Sequence, residues 1–540
     1  MEITVEQLYN KEDSLSFVNR YAGYPKELAL RVYTSRLIGS DQRLVLHGGG
    51  NTSVKLKLRN IMGKANDVLF VKGSGQNLDA IEPAGFVGLN LNPIQNLRQL
   101  PSLSDSEMDN QLKINRISWP SPEPSVETLF HAFLPHQYVD HTHADAILVI
   151  TNLKKGKAAI REALGDHIAI VPYTMSGFSL AKAAAAAYER RPGIDAVIVM
   201  NHGIFTFADD AKTSYEKMVG YVSRAEAYIR DRIRNKPLFT RRPGLTAPKN
   251  NEVALARLCP VVRGACAHMD SGGGLRRFYV ETRNATDLVD ASLSEEAQQL
   301  CRSGVLTPDH VIRTKNTMVH IECIPENDTD LEMLVQQKIT AFKTGYHRYF
   351  ARQLKKKGIR REEMDAYPRL FLVAGLGLVA LGFTRNEACI AADIGEHTIR
   401  AKLRSFAMGD YSPIPDSHVF EMEYWPLQQK KLNRLPPLPL QGQVAVITGG
   451  GGAIALGIAE RLLSAGAAVA MADIDPSRLN RTCSILAEKF EQNRVESIDF
   501  DVTDYRAVEK GFAEIIRRLG GIDIVVPNAG IAYVAKIDDL

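Results

Sequence analysis

Two short patterns constrain this chain more than any other feature: His141-Thr142-His143-Ala144-Asp145 and Asn201-His202-Gly203. In a β-strand, residues i and i+2 share a face, so a strand over 138–150 can aim His141 and His143 at one point. The apolar run Asp195–Met200 predicts a neighbouring strand, with His202 at its end as a third nitrogen. Three imidazoles with an open fourth position make a catalytic divalent-metal site, most often zinc. A lone His-x-His would favour ordinary core or surface histidines. A third His that ends another apolar strand and precedes Gly favours the metal.

A chain of 540 residues exceeds one hydrophobic core, and at roughly ~150 residues per domain it implies three or four units. A net charge of +4 on this length is near neutral, which argues against nucleic acid or a membrane surface as the default partner. The six cysteines (Cys259, Cys266, Cys301, Cys323, Cys389, Cys483) include no C-x-x-C pair and read as reduced thiols of a cytoplasmic protein. A small metal site at Cys259, Cys266 and His268 is the weaker alternative. The N-terminus lacks the apolar stretch of a signal peptide. The longest apolar run, Leu370–Phe383, covers 14 residues, too short to span a bilayer.

Around the histidines lie the parts that a metal alone lacks. Asp41–Lys57 reads as strand, glycine turn and second strand, with Val54, Leu56 and Leu58 alternating. Gly48–Gly50, then Asn51, Thr52 and Ser53, would place backbone N–H groups and hydroxyls where an anion can bind, though a plain hairpin turn explains that stretch equally well. Lys72-Gly73-Ser74-Gly75 is a second such loop, with one cation, and two loops together favour anion binding. Residues 92–124 read as a polar, Pro-rich surface excursion. A helix is expected from Ser125 to Ala132, with Glu127 in its first turn, where either the helix dipole or a metal explains the carboxylate. His131 and His136 read as structural. Helices are expected over 179–190 and 211–234.

Taken in order, GGGNTS, KGSG, the Glu of PSVETLFHA, HTHAD and NHG resemble the class II aldolase/adducin family, closest to its rhamnulose-1-phosphate aldolase branch that is fused to a short-chain dehydrogenase. The resemblance covers roughly the first 430 residues. It implies an α/β fold: a class II aldolase-like α/β/α domain with an extension, then a partial Rossmann domain. It implies His141, His143 and His202 as ligands of Zn²⁺ or another divalent metal, and Glu127 as the acid/base carboxylate, its pKa raised if partly desolvated. It implies Asn51, Ser74, Gly75 and Ser125 as the residues that hold a substrate phosphate. Val126 stands where some relatives carry a second Ser. A small sugar phosphate is then the expected partner, and a homo-oligomer the expected assembly.

The middle, 239–431, is expected to carry strands at 278–282 and 318–323 and a helix at 331–355 ending in a solvated basic cluster. Gly375-Leu376-Gly377-Leu378-Val379-Ala380 superficially matches a dinucleotide turn, but the alternation continues through Gly382 where a helix would be needed, so the cofactor reading is rejected. His202–Ala208 instead lines up with Leu376–Gly382, each after an apolar strand and before a helix. This predicts that the middle is a degenerate copy of the metal domain, with Leu376 in the place of His202. Chance similarity is the alternative.

A Pro-rich linker, 432–442, separates these regions from 443–540, where strands and helices alternate as in the first half of a doubly wound dinucleotide fold. The pattern resembles the short-chain dehydrogenase family. Gly449 opens the turn that would set a pyrophosphate at the N-terminus of the helix begun at Ile454. Asp473, at the end of the second strand, would bond the ribose hydroxyls and repel a 2′-phosphate, implying NAD. Asp501 and Val502 match adenine-contacting positions, and Asn528-Ala529-Gly530 the strand-end motif. Ala453 and Ala455 stand where the family has Gly, and each methyl is expected to crowd either the pyrophosphate or the helix–strand contact and so reduce affinity. No Tyr-x-x-x-Lys follows Gly530, so no dehydrogenase turnover, an exposed sheet edge and an unstable domain are expected. Three functions remain in view: metal-dependent cleavage of a ketose 1-phosphate, NAD-dependent oxidation of an aldehyde or sugar alcohol, and a non-catalytic adducin-like scaffold.

Overall fold

The computed structural model describes all residues except 1–4, 119, 271, 433–435, 532–537 and 539–540. Part of the expected linker therefore lies outside the described residues. The chain forms two compact units that are not consecutive in sequence: Met1–Leu238 with Ser303–Ile312 and His397–Asn433, and Phe239–Arg302 with Arg313–Glu396 and Arg434–Leu540.

The first unit is built on a seven-stranded sheet. Its strands are β1 (Asn51–Arg59), β2 (Ala65–Lys72), β3 (Phe86–Asn90), β4 (Tyr138–Thr142), β5 (Ile168–Val171), β6 (Ala196–Val199) and β7 (Gly203–Ala208), in the order β3-β2-β1-β4-β7-β6-β5. Apolar side chains cover both faces: Leu129, Phe130 and Phe205 lie in one core, and Ile147, Ile198 and Met218 in the other. Several expectations are corrected. Gly48–Gly50 do not join two strands; the hairpin is β1–β2. The metal-bearing strand stops at Thr142, and Asp145–Thr151 is a helix. β7, not β6, is the neighbour of β4. The stretch 92–124 contains a helix, Asp105–Ile114, closed by a Ser104/Glu107 capping box and buried through Met108 and Leu112.

The second unit holds a two-stranded ribbon, β8 (His268–Met269) and β9 (Leu275–Arg276), and a four-stranded sheet. That sheet consists of β10 (Tyr279–Arg283), β11 (Val319–Ile321), β12 (Leu370–Val373) and β13 (Gly377–Gly382), in the order β10-β13-β12-β11. Gly375 and Leu376 form a hairpin turn, not a dinucleotide loop.

This sheet repeats β4-β7-β6-β5 strand for strand. Both sets have antiparallel, antiparallel and parallel neighbours in the same order. Tyr138 faces Ala208 as Tyr279 faces Gly382, and His141 faces Phe205 as Thr282 faces Val379. The helices that follow are Ala211–Ile233 and Arg385–Met408. By this register Thr282, Asn284 and Leu376 occupy the places of His141, His143 and His202.

The same unit carries the third sheet: β14 (Val444–Thr448), β15 (Ala468–Asp473), β16 (Val495–Asp499) and β17 (Ile524–Val526), all parallel in the order β16-β15-β14-β17, with helices between. It packs on the preceding sheet region: Arg263 pairs with Asp523, and the Tyr279 hydroxyl donates to the Gly466 carbonyl at 2.8 Å.

Candidate active site

β4 ends at Thr142 because its partner β7 begins at Gly203, after a tight turn that carries His202. Asn201 adopts φ 57°, and a Cβ on Gly203 would stand 2.3 Å from the Thr142 carbonyl oxygen. Asn tolerates the left-handed conformation and Gly the close approach, which explains the residues flanking His202. His141 remains in the strand and His143 lies just beyond it, yet their Nε2 atoms are 3.0 Å apart. His202 Nε2 lies 3.2 Å, and His141 Nε2 3.5 Å, from Glu127 Oε1. One ligand atom from each of these four buried residues falls within 4.8 Å of the others.

The donor set fits a divalent cation. His141 Nδ1 lies 3.0 Å from the Ile204 carbonyl; donating there fixes the tautomer and leaves Nε2 as a lone pair. His202 Nε2 is buried and faces Glu127 Oε1 at 3.2 Å and Asp309 Oδ2 at 3.7 Å, so a cation there would meet an imidazole and carboxylates together. Burial pushes the His143 imidazole well below its usual range, so it stays a neutral ligand. Glu127 precedes its helix, Thr128–Phe133, as the capping residue instead of lying in the first turn. Burial would raise its pKa as expected from sequence, but the charge and hydrogen bonds that His141 and His202 supply when protonated outweigh burial and hold the carboxyl well below the usual range. It is a base at rest. His131 and His136 each meet a hydroxyl, Ser53 at 2.8 Å and Tyr188 at 3.1 Å.

The two loops meet beside this cluster. Asn51 Nδ2 donates to Ser125 Oγ at 2.5 Å, so these two residues hold each other. Ser74 and Gly75 line a cavity of about 320 Å³, as does Val126. The loop cation does not face that cavity. Lys72 is 2% exposed, and its ammonium donates to the carbonyls of Gly48 (2.9 Å), Gly49 (3.3 Å) and Gln76 (2.8 Å), tying one loop to the other. Burial pushes its pKa down to about 7.

At the third sheet the dinucleotide turn is formed. Gly449 has φ 66°, and Gly451 N donates to Asp473 Oδ2 at 2.8 Å. The Asn528 side chain donates to the Thr448 carbonyl, and the amides of Asn528 and Ala529 to its hydroxyl, each at 3.0 Å. Ile454 and Val502 are exposed, and Asp501 accepts from Thr503. Gly530 follows as an exposed loop residue. The methyl of Ala455 packs into the core between helix and sheet, at the helix–strand contact.

Three family models match in succession: the class II aldolase and adducin N-terminal domain at 29–229, the aldolase class II second domain at 253–432, and the short chain dehydrogenase at 443–540. An uncharacterized oxidoreductase of Bacillus subtilis, YuxG, is 31% identical over 525 residues, 96% of this chain and 75% of its own. The chain belongs to the class II aldolase/adducin family. It carries that family's bifunctional form, with aldolase and short-chain dehydrogenase domains in one polypeptide. The dehydrogenase portion is also 41% identical over 93 residues to 2,3-dihydroxy-2,3-dihydro-p-cumate dehydrogenase of Pseudomonas putida, 36% of that protein. Among solved structures, the N-terminal class II aldolase domain of a Thermoplasma acidophilum protein is 42% identical, covering 38% of this chain and 95% of its own at TM-score 0.37.

In this class II aldolase-family chain, sequence reasoning missed two side chains near the histidines. Asp309, on a short turn at Pro308–His310, places Oδ2 3.7 Å from His202 Nε2. Lys431 lies 3.4 Å from Asp309 Oδ1. No spacing in the sequence ties position 309 or 431 to position 202. Cys259 and Cys266 are buried thiols whose pKa burial pushes up to about 12, and among the described residues they join no metal-ligand group. No described helix is long and apolar enough to cross a membrane.

Proposed function

We propose that the chain is a metal-dependent aldolase that cleaves a ketose 1-phosphate, rhamnulose-1-phosphate-like, to dihydroxyacetone phosphate and an aldehyde. The observation that carries this reading is the convergence of His141, His143, His202 and Glu127 beside loops suited to an anion. A divalent cation such as Zn²⁺, held by the three imidazoles, would supply Lewis-acid polarisation of the ketose carbonyl. Glu127, ionised and aimed at the same point, takes the C4 hydroxyl proton as the C3–C4 bond breaks and C4 becomes the aldehyde carbonyl, and returns that proton to C3, the carbon next to the ketose carbonyl. Asn51, Ser74, Gly75 and Ser125 hold the phosphate and so fix the reacting carbons in register with Glu127. The shared strand register supports reading 239–431 as a copy of the metal-bearing sheet that lacks the ligands.

The test is the metal content of the purified chain, with release of dihydroxyacetone phosphate measured with and without chelator. Metal-free protein, or cleavage indifferent to chelator, overturns the reading.

The dinucleotide turn supports a second, separate site for NAD, with Asp473 facing the ribose hydroxyls and Asp501 and Val502 the adenine. NADH fluorescence titration tests it; Asp473→Ala should weaken binding of NADH, and preference for NADPH in the parent chain would refute it.

A further inference from the structure

The cavity lined by Ser74, Gly75 and Val126, the residue before Glu127, is lined also by Lys430 and Lys431, more than three hundred residues later in the sequence. The segment bearing these lysines is fastened to the cluster by Asp309. Asp309 Oδ1 accepts from Gln428 Nε2 at 3.1 Å and lies 3.4 Å from Lys431 Nζ. Its other oxygen, Oδ2, is buried with no hydrogen-bond partner and points toward His202. A carboxylate buried this way is retained only where charges on both sides compensate it. Trp425 adds a second tether through its bond to Asp105 Oδ2 at 2.7 Å.

Among the pairs around the cavity, Asp109 meets Lys113 and Lys430, Glu123 meets Lys113 and Arg116, and Asp309 meets Lys431. Val126 presents an apolar side chain to the same space, so it gives an anion no hydrogen bond, and a contact must come from another wall.

We infer that Lys431, held by Asp309, is the specificity residue that meets the substrate's phosphate, and that Asp309 is a positioning residue linking this contact to the histidine cluster. The inference rests on the proposed sugar-phosphate reading and extends it: the segment 426–432, fastened by Asp309, adds lysines to a pocket otherwise lined by residues of 74–126. Recognition needs a dianion small enough for the cavity, which a phosphate monoester supplies.

The experiment titrates inorganic phosphate into the full, metal-loaded chain by calorimetry, so that it does not depend on which ketose is cleaved. Lys431→Met should weaken phosphate binding about tenfold to a hundredfold, the value of one charged hydrogen bond, with metal content unchanged. Lys431→Arg should recover much of the loss, which separates a lost contact from a lost fold. Asp309→Asn should weaken phosphate binding while the metal stays bound. With a phosphorylated ketose, Lys431→Met should raise KM more than it lowers kcat. Phosphate binding unaffected in Lys431→Met, an equal loss in Lys430→Met, or tighter binding of acetate than of phosphate by the parent chain would each overturn the assignment. Phosphate binding through Lys431 without ketose cleavage would leave this inference standing and refute the proposed reaction.

Discussion

The Arg31 guanidinium lies 2.6 Å from the Asp140 carboxylate, and both side chains are wholly buried. Ser214 Oγ donates to the same carboxylate at 2.5 Å. Asp140 is the residue before His141, so this pair anchors the strand that aims the first ligand. Asp140→Ala leaves a buried, uncompensated cation, which costs about 3–5 kcal/mol. The expected outcome is a lower unfolding midpoint and weaker metal retention, read by thermal denaturation and by metal analysis after dialysis. An unchanged midpoint would show that the pair is not needed.

Glu127→Gln keeps the shape of the side chain and removes its capacity to take a proton. Catalysis should fall about 10²–10⁴-fold while the three imidazoles keep the metal. Measuring kcat and metal content on the same preparation separates the two roles; loss of metal would make Glu127 chiefly a ligand.

One metal per chain is expected, all of it at the first sheet. Thr282, Asn284 and Leu376 stand at the corresponding places of the second sheet, and none is a metal ligand of comparable strength. His202→Ala should therefore take the stoichiometry toward zero. Retention of a full equivalent would point to a second site.

Lys72 makes a pH prediction. Its folded pKa is about 7 against an ordinary 10.5, so between these values the unfolded chain binds more protons than the folded one. Stability from this group is full above about 10.5 and is lost as pH falls through about 7. Function runs the other way. The ammonium has a proton for each of the three loop carbonyls, whereas the neutral amine has two. KM for a phosphorylated substrate should rise as pH passes upward through the folded pKa, and Lys72→Met should raise KM and abolish that dependence. A parent KM that stays flat across this range would refute the tether.

Much of the architecture was legible because the signals are local. The alternation of strand and helix after Gln443, the turn at Gly449 and the acidic end of the second strand all follow from neighbours in the chain. Leu376 could be matched to His202 for the same reason: strand, turn, strand and helix recur at equal spacing. The helix at Asp105–Ile114 was missed because Met108 and Leu112 make a sparse apolar pattern in a polar stretch. The end of β4 was misplaced because 144–150 is apolar in either a strand or a helix.

By itself the sequence determined which groups are candidates for chemistry and which of them are neighbours along the chain: His141 with His143, Asn201 with Gly203, and the residues of each glycine-containing loop with one another. Tertiary structure alone decided which distant groups meet. Packing brings Asp309 and Lys431 to the cluster, turns Lys72 inward onto three carbonyls, and sets two imidazoles against Glu127. The direction of the Glu127 pKa reversed for that reason. Burial could be anticipated from a hydrophobic pattern, but the opposing electrostatic contribution depends on distances between residues far apart in sequence.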